Sequence, residues 1–311
     1  HFIALQKQTN DLVLGTHGRG VIIIDDISPL RELNNKVMDK TLHFFNSKPT
    51  VIKETKSFSG GFGNETQFVG RNKSSQAQIK YHLKKRHTFG KMTMAIVDQK
   101  GDTITELTPG KSKGINIVSW SYRKKQPKVA TGKTFSFGGF TTPIVPAGIY
   151  TARITKGKET FEHPFELVYD SKLQISEADR KLKNKIVTQL YDMIESLAYK
   201  VYELDTYLEY AATVKNKKIS AQLNKLKETM VVTTGDNYVG AAEPQLREKM
   251  TDLFQKVENN YGAPTANELM NLKIIGTRLN EANKSLDKLK KKYKLNSRVE
   301  LMSFEAFLRS K

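Results

Sequence analysis

Between residues 77 and 170 apolar and polar positions alternate in short runs. Ala77-Gln78-Ile79-Lys80-Tyr81-His82-Leu83 has period two, the signature of a half-buried strand. Met92 to Val97 reads as a second strand, ended by the turn residues Asp98-Gln99-Lys100-Gly101-Asp102, and Thr103 to Leu107 as a third. Further strands are expected over Ile115 to Tyr122, Gly148 to Thr155 and Phe161 to Tyr169. Short strands at this turn spacing predict a β-sandwich of the immunoglobulin or fibronectin kind. Trp120, near Ile115, Ile117 and Val118, reads as a core anchor of that sandwich, with a carbohydrate-stacking platform as the rival reading.

After Asp170 the period lengthens to that of a helix. Ser176-Glu177-Ala178-Asp179 has the form of a capping box, with Asp in the place of the usual Glu or Gln. Ile186, Leu190, Ile194, Leu197, Val201, Leu204 and Leu208 then follow at alternating steps of four and three, so they form one stripe that needs a partner helix. Ile219, Leu223, Leu226 and Met230 mark a second helix, and Gly235 to Gly240 a break. A third helix is expected from a first-turn Pro244, with Leu246, Met250, Leu253 and Val257, ending at Gly262-Ala263-Pro264. Leu269 to Tyr293 defines a fourth. Four such stripes with short connections can satisfy one another, which favours an antiparallel α-helical bundle over a dimerising coiled coil. Tyr191, Tyr199, Tyr202, Tyr207 and Tyr210 flank the first stripe, either as a partner-contact face or as the margin of the core; Tyr202 is the candidate contact.

The N-terminal segment has a different texture. Asp11 to Gly15 and Val21 to Ile24 are short apolar runs joined by Thr16-His17-Gly18-Arg19-Gly20, which reads as a hairpin with glycines free to take positive φ. The unbroken Val21-Ile22-Ile23-Ile24 run predicts a strand buried on both faces. One hairpin cannot supply that cover. The chain begins at His1, and HFIALQKQTNDLVLG lacks the features of a signal peptide, so an upstream segment is expected.

The string Gly15 to Gly20, Asp25-Asp26-Ile27 and Pro29-Leu30 resembles the closing blade of bacterial β-propellers with neuraminidase-type (BNR, Asp-box) repeats, related to sortilin-like propellers and loosely described as glycosyl hydrolases. Softer similarities follow at Gly61-Phe62-Gly63-Asn64, Ala77 to Leu83, Asp98 with Gly101, and Gly148-Ile149-Tyr150-Thr151. The resemblance implies the last strands of a propeller blade with a linker (1–40); the alternation and the helical period divide the rest into a β-sandwich (41–170) and a helical bundle (171–311). The resemblance also implies a secreted, periplasmic or cell-surface protein. Any catalytic carboxylates would come from blades outside this chain.

Composition narrows the chemistry. The absence of cysteine removes disulfides, thiolate metal sites and Cys nucleophiles. The formal charge of +19 invites a nucleic-acid reading, but the excess is spread over the chain, with 26 Lys/Arg against 14 Asp/Glu in residues 1–170 and 25 against 18 thereafter. No arginine-rich arm or nucleic-acid motif accompanies it, and the run Lys288 to Lys294 reads as the solvated end of a helix. No apolar stretch is long enough to span a bilayer. The histidines show no metal-ligand spacing, and neither Gly60 to Asn64 nor Phe137-Gly138-Gly139-Phe140 carries a phosphate-loop Lys-Ser/Thr, so no metal or cofactor is expected.

His17, Arg19, Asp25 and Asp26 form the one cluster that resembles a site. Adjacent carboxylates on an extended segment point to opposite faces, whereas glycoside hydrolysis needs two that converge. A structural, blade-closing role is therefore expected, with no catalytic residue. His17, Arg19 and Asp25, together with Trp120, Tyr122 and Tyr202, are the candidate ligand or partner contacts. The functional expectation is an accessory, protein-interaction region whose partner is the remainder of its propeller or another chain. The alternatives are the polysaccharide-binding part of a glycoside hydrolase, with Trp120, Tyr122 or Phe140 as a platform, and a subunit of an envelope complex.

Overall fold

The alternating first half and the helical second half form a mixed α and β structure. The computed structural model describes residues 2–54, 74–234 and 242–310. His1, Gly60 to Asn64 and the break at Gly235 to Gly240 lie outside the described residues. Internal packing groups the rest into two units: residues 2–54, 74–124 and 144–173 in one, and residues 125–143, 174–234 and 242–310 in the other.

The first unit holds three sheets. β1 (Phe2–Gln6), β2 (Asp11–Gly15) and β3 (Val21–Ile24) form an antiparallel sheet in that order. Two short helices follow, α1 (Ser28–Glu32) and α2 (Asn35–Asp39). β4 (Leu42–Phe44), β6 (Ala77–Leu83) and β9 (Gly114–Trp120) form a second three-stranded sheet with β6 at its centre. β5 (Thr50–Ile52), β11 (Glu159–Tyr169), β10 (Gly148–Lys156), β7 (Met92–Val97) and β8 (Thr103–Leu107) form a five-stranded sheet in that order. Residues of these two larger sheets share one core that includes Ile79, Tyr81, Met94, Ile96, Trp120, Ile154 and Leu167. The turn after β7 is built as its residues predict: the Asp98 carboxylate accepts from the amides of Lys100 and Asp102, each at 2.9 Å. Pro164 lies in β11 outside the three residues that pair with β5, where a missing amide costs no ladder bond on that side.

Three expectations for this unit are corrected. The hairpin is a three-stranded ribbon, because Phe2–Gln6 pairs along the whole of β2. β6 is not half-buried: as the central strand it has both faces covered, and even Lys80 and His82 are only 4% and 6% exposed. β3, expected to be buried on both faces, is open on both, with Val21 68% exposed on one and Ile22 43% on the other. The hydrophobic run predicts what the strand can bury, and no element of the described residues covers it.

The second unit is helical. α3 (Glu177–Thr213), α4 (Lys217–Met230), α5 (Leu246–Asn259) and α6 (Ala266–Tyr293) pack on one another around a single core. The stripe on α3 is buried from Ile186 through Leu204, and the expected residues of the other helices join it. Burying each such side chain contributes roughly 1.5–3 kcal/mol relative to exposure. The Ser176 hydroxyl caps α3 by accepting from the Asp179 amide at 3.0 Å. Pro244 is not in the first turn of α5: it precedes the cap residue, Gln245, whose side chain forms a reciprocal capping box with Glu248. Inside this unit Glu203, 3% exposed, pairs with Lys200 on its own helix at 2.7 Å and with Lys290 on α6.

Residues 125–143 pack with these helices. Phe137–Phe140 forms a short 3-10 turn against α5. Gly138 makes that approach possible, since a Cβ there would stand 2.0 Å from the Thr251 carbonyl oxygen. Arg247, 5% exposed, ties the same segment down by donating to the carbonyls of Ala130 at 3.1 Å and Thr134 at 2.5 Å. The chain ends in α7 (Phe304–Arg309), which carries Phe307 into the helical core.

Candidate interaction surface

His17 and Arg19 sit at the tip of the β2–β3 turn and are exposed. The turn is closed by the Thr16 amide and hydroxyl, which both donate to the Gly20 carbonyl at 3.0 and 2.9 Å. Gly18 and Gly20 take φ of 83° and 71°, values that disfavour a side chain. Asp25 is exposed just past the end of β3. The cluster read from the sequence therefore stands along one strand, with His17 and Arg19 at its beginning and Asp25 and Asp26 at its end.

Asp26 departs from the extended geometry expected of it. Its φ is 46°, so strand alternation does not govern where its carboxylate points. That carboxylate accepts from the Ser28 hydroxyl at 2.5 Å and amide at 3.2 Å, at the start of α1. It also pairs with Lys80 Nζ at 2.6 Å. Burial alone pushes the Asp26 pKa up, but the Lys80 and Ser28 hydrogen bonds and the Lys80 charge outweigh it and hold the carboxyl below its usual range. The Asp26 amide in turn donates to Asp11 at 2.8 Å, and the Ile27 amide to the Asn10 carbonyl at 2.8 Å.

This network fixes the end of the three-stranded sheet to β6. A second tie runs from Lys48 Nζ to the Gln8 carbonyl at 2.5 Å. Between the ties lies a cavity of about 430 Å³ whose lining includes Gln8, Asp26, Lys48, Lys53, Gln78 and Lys80. Asp26 is committed to Lys80, which leaves this arrangement suited to holding the sheet rather than to acid–base work on a glycosidic bond. Lys80 is not legible as a site residue in the sequence, because a lysine on the polar alternation of a strand looks solvent-facing.

The sheet so anchored presents a large apolar surface. Phe2 is 71% and Ile3 69% exposed on β1, and all four residues of β3 are at least 41% exposed. Exposed apolar side chains gathered on one small sheet make it a candidate interaction surface, and the outer edge of a strand is a template for further pairing.

The other candidates are placed elsewhere. Trp120 is 2% exposed, edge-on to Tyr150 and Phe165, and donates its indole N–H to the Arg123 carbonyl at 3.1 Å. Tyr122 is 5% exposed and its hydroxyl accepts from the Lys53 amide at 3.1 Å. Neither ring can stack on a sugar from solvent. Tyr202 stacks on Phe307 with centroids 5.1 Å apart and accepts from the Met302 amide at 3.1 Å, so the chain's own last segment occupies it. Tyr199, Tyr207 and Tyr210 bond to Met302, Asn296 and Arg298 in the same segment.

No protein-family model matches the chain, and no curated protein matches it. Among solved structures it is similar to PorZ, described as an essential bacterial surface component of the type-IX secretion system of Porphyromonas gingivalis. The similarity has 13% identity and a TM-score of 0.21, over 54% of this chain and 16% of that one. The chain thus spans about one-sixth of that protein's length, and a likeness this slight carries no argument about fold or activity. Among the described residues no helix is long and apolar enough to cross a membrane, and no group of His, Asp and Glu is placed to hold a metal ion.

Proposed function

We propose that this chain is a non-catalytic accessory and interaction region of an envelope-associated or secreted propeller protein, in which β1–β3 completes a blade against neighbouring β-sheet. In this reading the two larger sheets are an immunoglobulin-like sandwich acting as a rigid spacer, and α3–α6 form an antiparallel bundle. The observation that carries it is the exposure of both faces of Val21–Ile24 in a sheet that Asp26 and Lys80 hold in place. The Gly15 to Ile27 resemblance to a closing blade supplies the kind of neighbour. A photo-crosslinking residue installed at Ile23 in cells tests it: adducts to β-propeller strands, in the same polypeptide or a second chain, are expected. Adducts confined to lipid, or none, sink the proposal.

One observation favours a second reading, polysaccharide binding. Phe135, Phe137 and Phe140 are 44%, 63% and 60% exposed and pack ring to ring, beside a cavity of about 300 Å³ whose lining includes Ser136, Asp252 and Gln255. Exposed aromatics next to hydrogen-bonding groups suit a sugar ring. Binding of the full chain to a glycan array, lost on Phe137→Ala and Phe140→Ala together, would establish it, and an array without signal would remove it.

A further inference from the structure

The segment between β6 and β7, residues 84–91, carries Lys84, Lys85, Arg86 and Lys91 around a single phenylalanine, Phe89. Two other turns are bonded to it. The His87 amide donates to the Lys111 carbonyl at 2.9 Å, bringing in Lys111 and Lys113, and the Gly157 amide donates to the Lys91 carbonyl at 3.3 Å, bringing in Lys156 and Lys158. Residues 84–91, 111–113 and 156–158 together hold eight cations and no acid. Among the described residues two acids pair with the patch: Asp39 lies 3.1 Å from Lys84 with both side chains exposed, and Glu159 lies 4.0 Å from Lys156. Exposed pairs of this kind hold their partners weakly and yield to a stronger anion.

The loop is built rather than loose. The Lys84 amide donates to the Thr41 carbonyl at 3.3 Å, the His87 ring bonds the Gly90 carbonyl at 3.1 Å, and Gly90 takes a φ of 85°. Its cations surround a cavity of about 520 Å³, roomy enough for a phosphate group with its water. Phe89, next to that cavity, is 89% exposed, more than any other large apolar side chain among the described residues.

We infer that this loop docks the protein on an anionic membrane surface, with Lys84, Lys85, Arg86 and Lys156 taking lipid phosphates while Phe89 enters the headgroup boundary. The pairing of a lone apolar tip with a ring of cations is the chemistry of interfacial anchoring. A single-stranded nucleic acid calls instead for a row of stacking rings along a groove. The inference is independent of what covers β1–β3.

Flotation of the full chain with vesicles of phosphatidylcholine, alone or with about one-third phosphatidylglycerol, tests it. Binding is expected to the anionic vesicles, falling as salt rises. Lys85→Ala with Arg86→Ala should weaken it by about 25-fold, taking roughly 5-fold per cation, and Phe89→Ser by about 10-fold. Lys284→Ala with Lys288→Ala on α6, which removes the same charge elsewhere, should leave it unchanged. Equal binding to neutral vesicles overturns the inference, as does an equal loss in the α6 variant. Wild-type binding by Phe89→Ser also overturns it, since the patch would then hold polyanions without entering a membrane.

Discussion

Asp26 and Lys80 hold the N-terminal sheet to the body of its unit, and their unequal exposure decides what each substitution does. Lys80 is 4% exposed and Asp26 23%. Removing the acid strands a buried ammonium, whereas removing both leaves a site an apolar side chain can fill. Asp26→Asn is expected to lower the stability of the first unit by about 2–3 kcal/mol, read from its urea midpoint, with Lys80→Met in the same chain recovering most of the loss. Because the folded pKa of Asp26 is depressed, its contribution is complete above the carboxyl pKa of the unfolded chain and vanishes as pH falls through the lower, folded value. Equal midpoints for the wild type and Asp26→Asn at neutral pH would show that the pair holds nothing. None of this was legible in the sequence, where Asp26 looked like half of a carboxylate pair on an extended strand and Lys80 like a solvent-facing residue. The fold reverses both, through a left-handed φ at Asp26 and a second layer over β6.

Elements fared differently according to how much of their pattern is local. β6, β7 and β8 begin and end where the alternation and the turn residues place them, and the stripe on α3 is buried as its spacing requires. β4 and β5 were missed because three-residue strands carry no period, and α7 because six residues carry barely more than one turn. Packing between elements also creates chemistry that no single element shows. His43 and His82 face each other across β4 and β6, and His163 on β11 stacks on Phe44 with centroids 5.4 Å apart. Burial lowers the His82 pKa, and the charges of His43 and Lys113 lower it further; burial also lowers that of His163, with Glu32 opposing and His43 reinforcing. The folded unit therefore refuses protons that the unfolded chain accepts near pH 6.5. Its stability should be complete above that pH and decline as pH falls through it toward the folded values. Thermal midpoints across pH 7 to about 5 check this, with His163→Phe expected to flatten part of the slope; identical slopes in the two proteins would exclude His163 as a source.

At the scale of the whole molecule, the unanswered surface is β1–β3. Its residues form strands for local reasons, short apolar runs around a glycine turn, but what those strands exist to bury cannot be read from local pattern. Continuous Val21–Ile24 predicts burial on both faces, and among the described residues both faces are open. The charge of the chain repeats the lesson. A net of +19 spread along the sequence looks featureless, yet folding brings Lys84, Lys85, Arg86 and Lys156 to one cavity beside Phe89. The claim on which the account turns is that β3 pairs and packs in the working protein. Amide hydrogen exchange at Val21–Ile24 tests it most directly, comparing the 311-residue chain alone with the protein purified from its native cells. Slowing by about a thousandfold or more is expected in the latter, as for core strands. Equally fast exchange in both would contradict it.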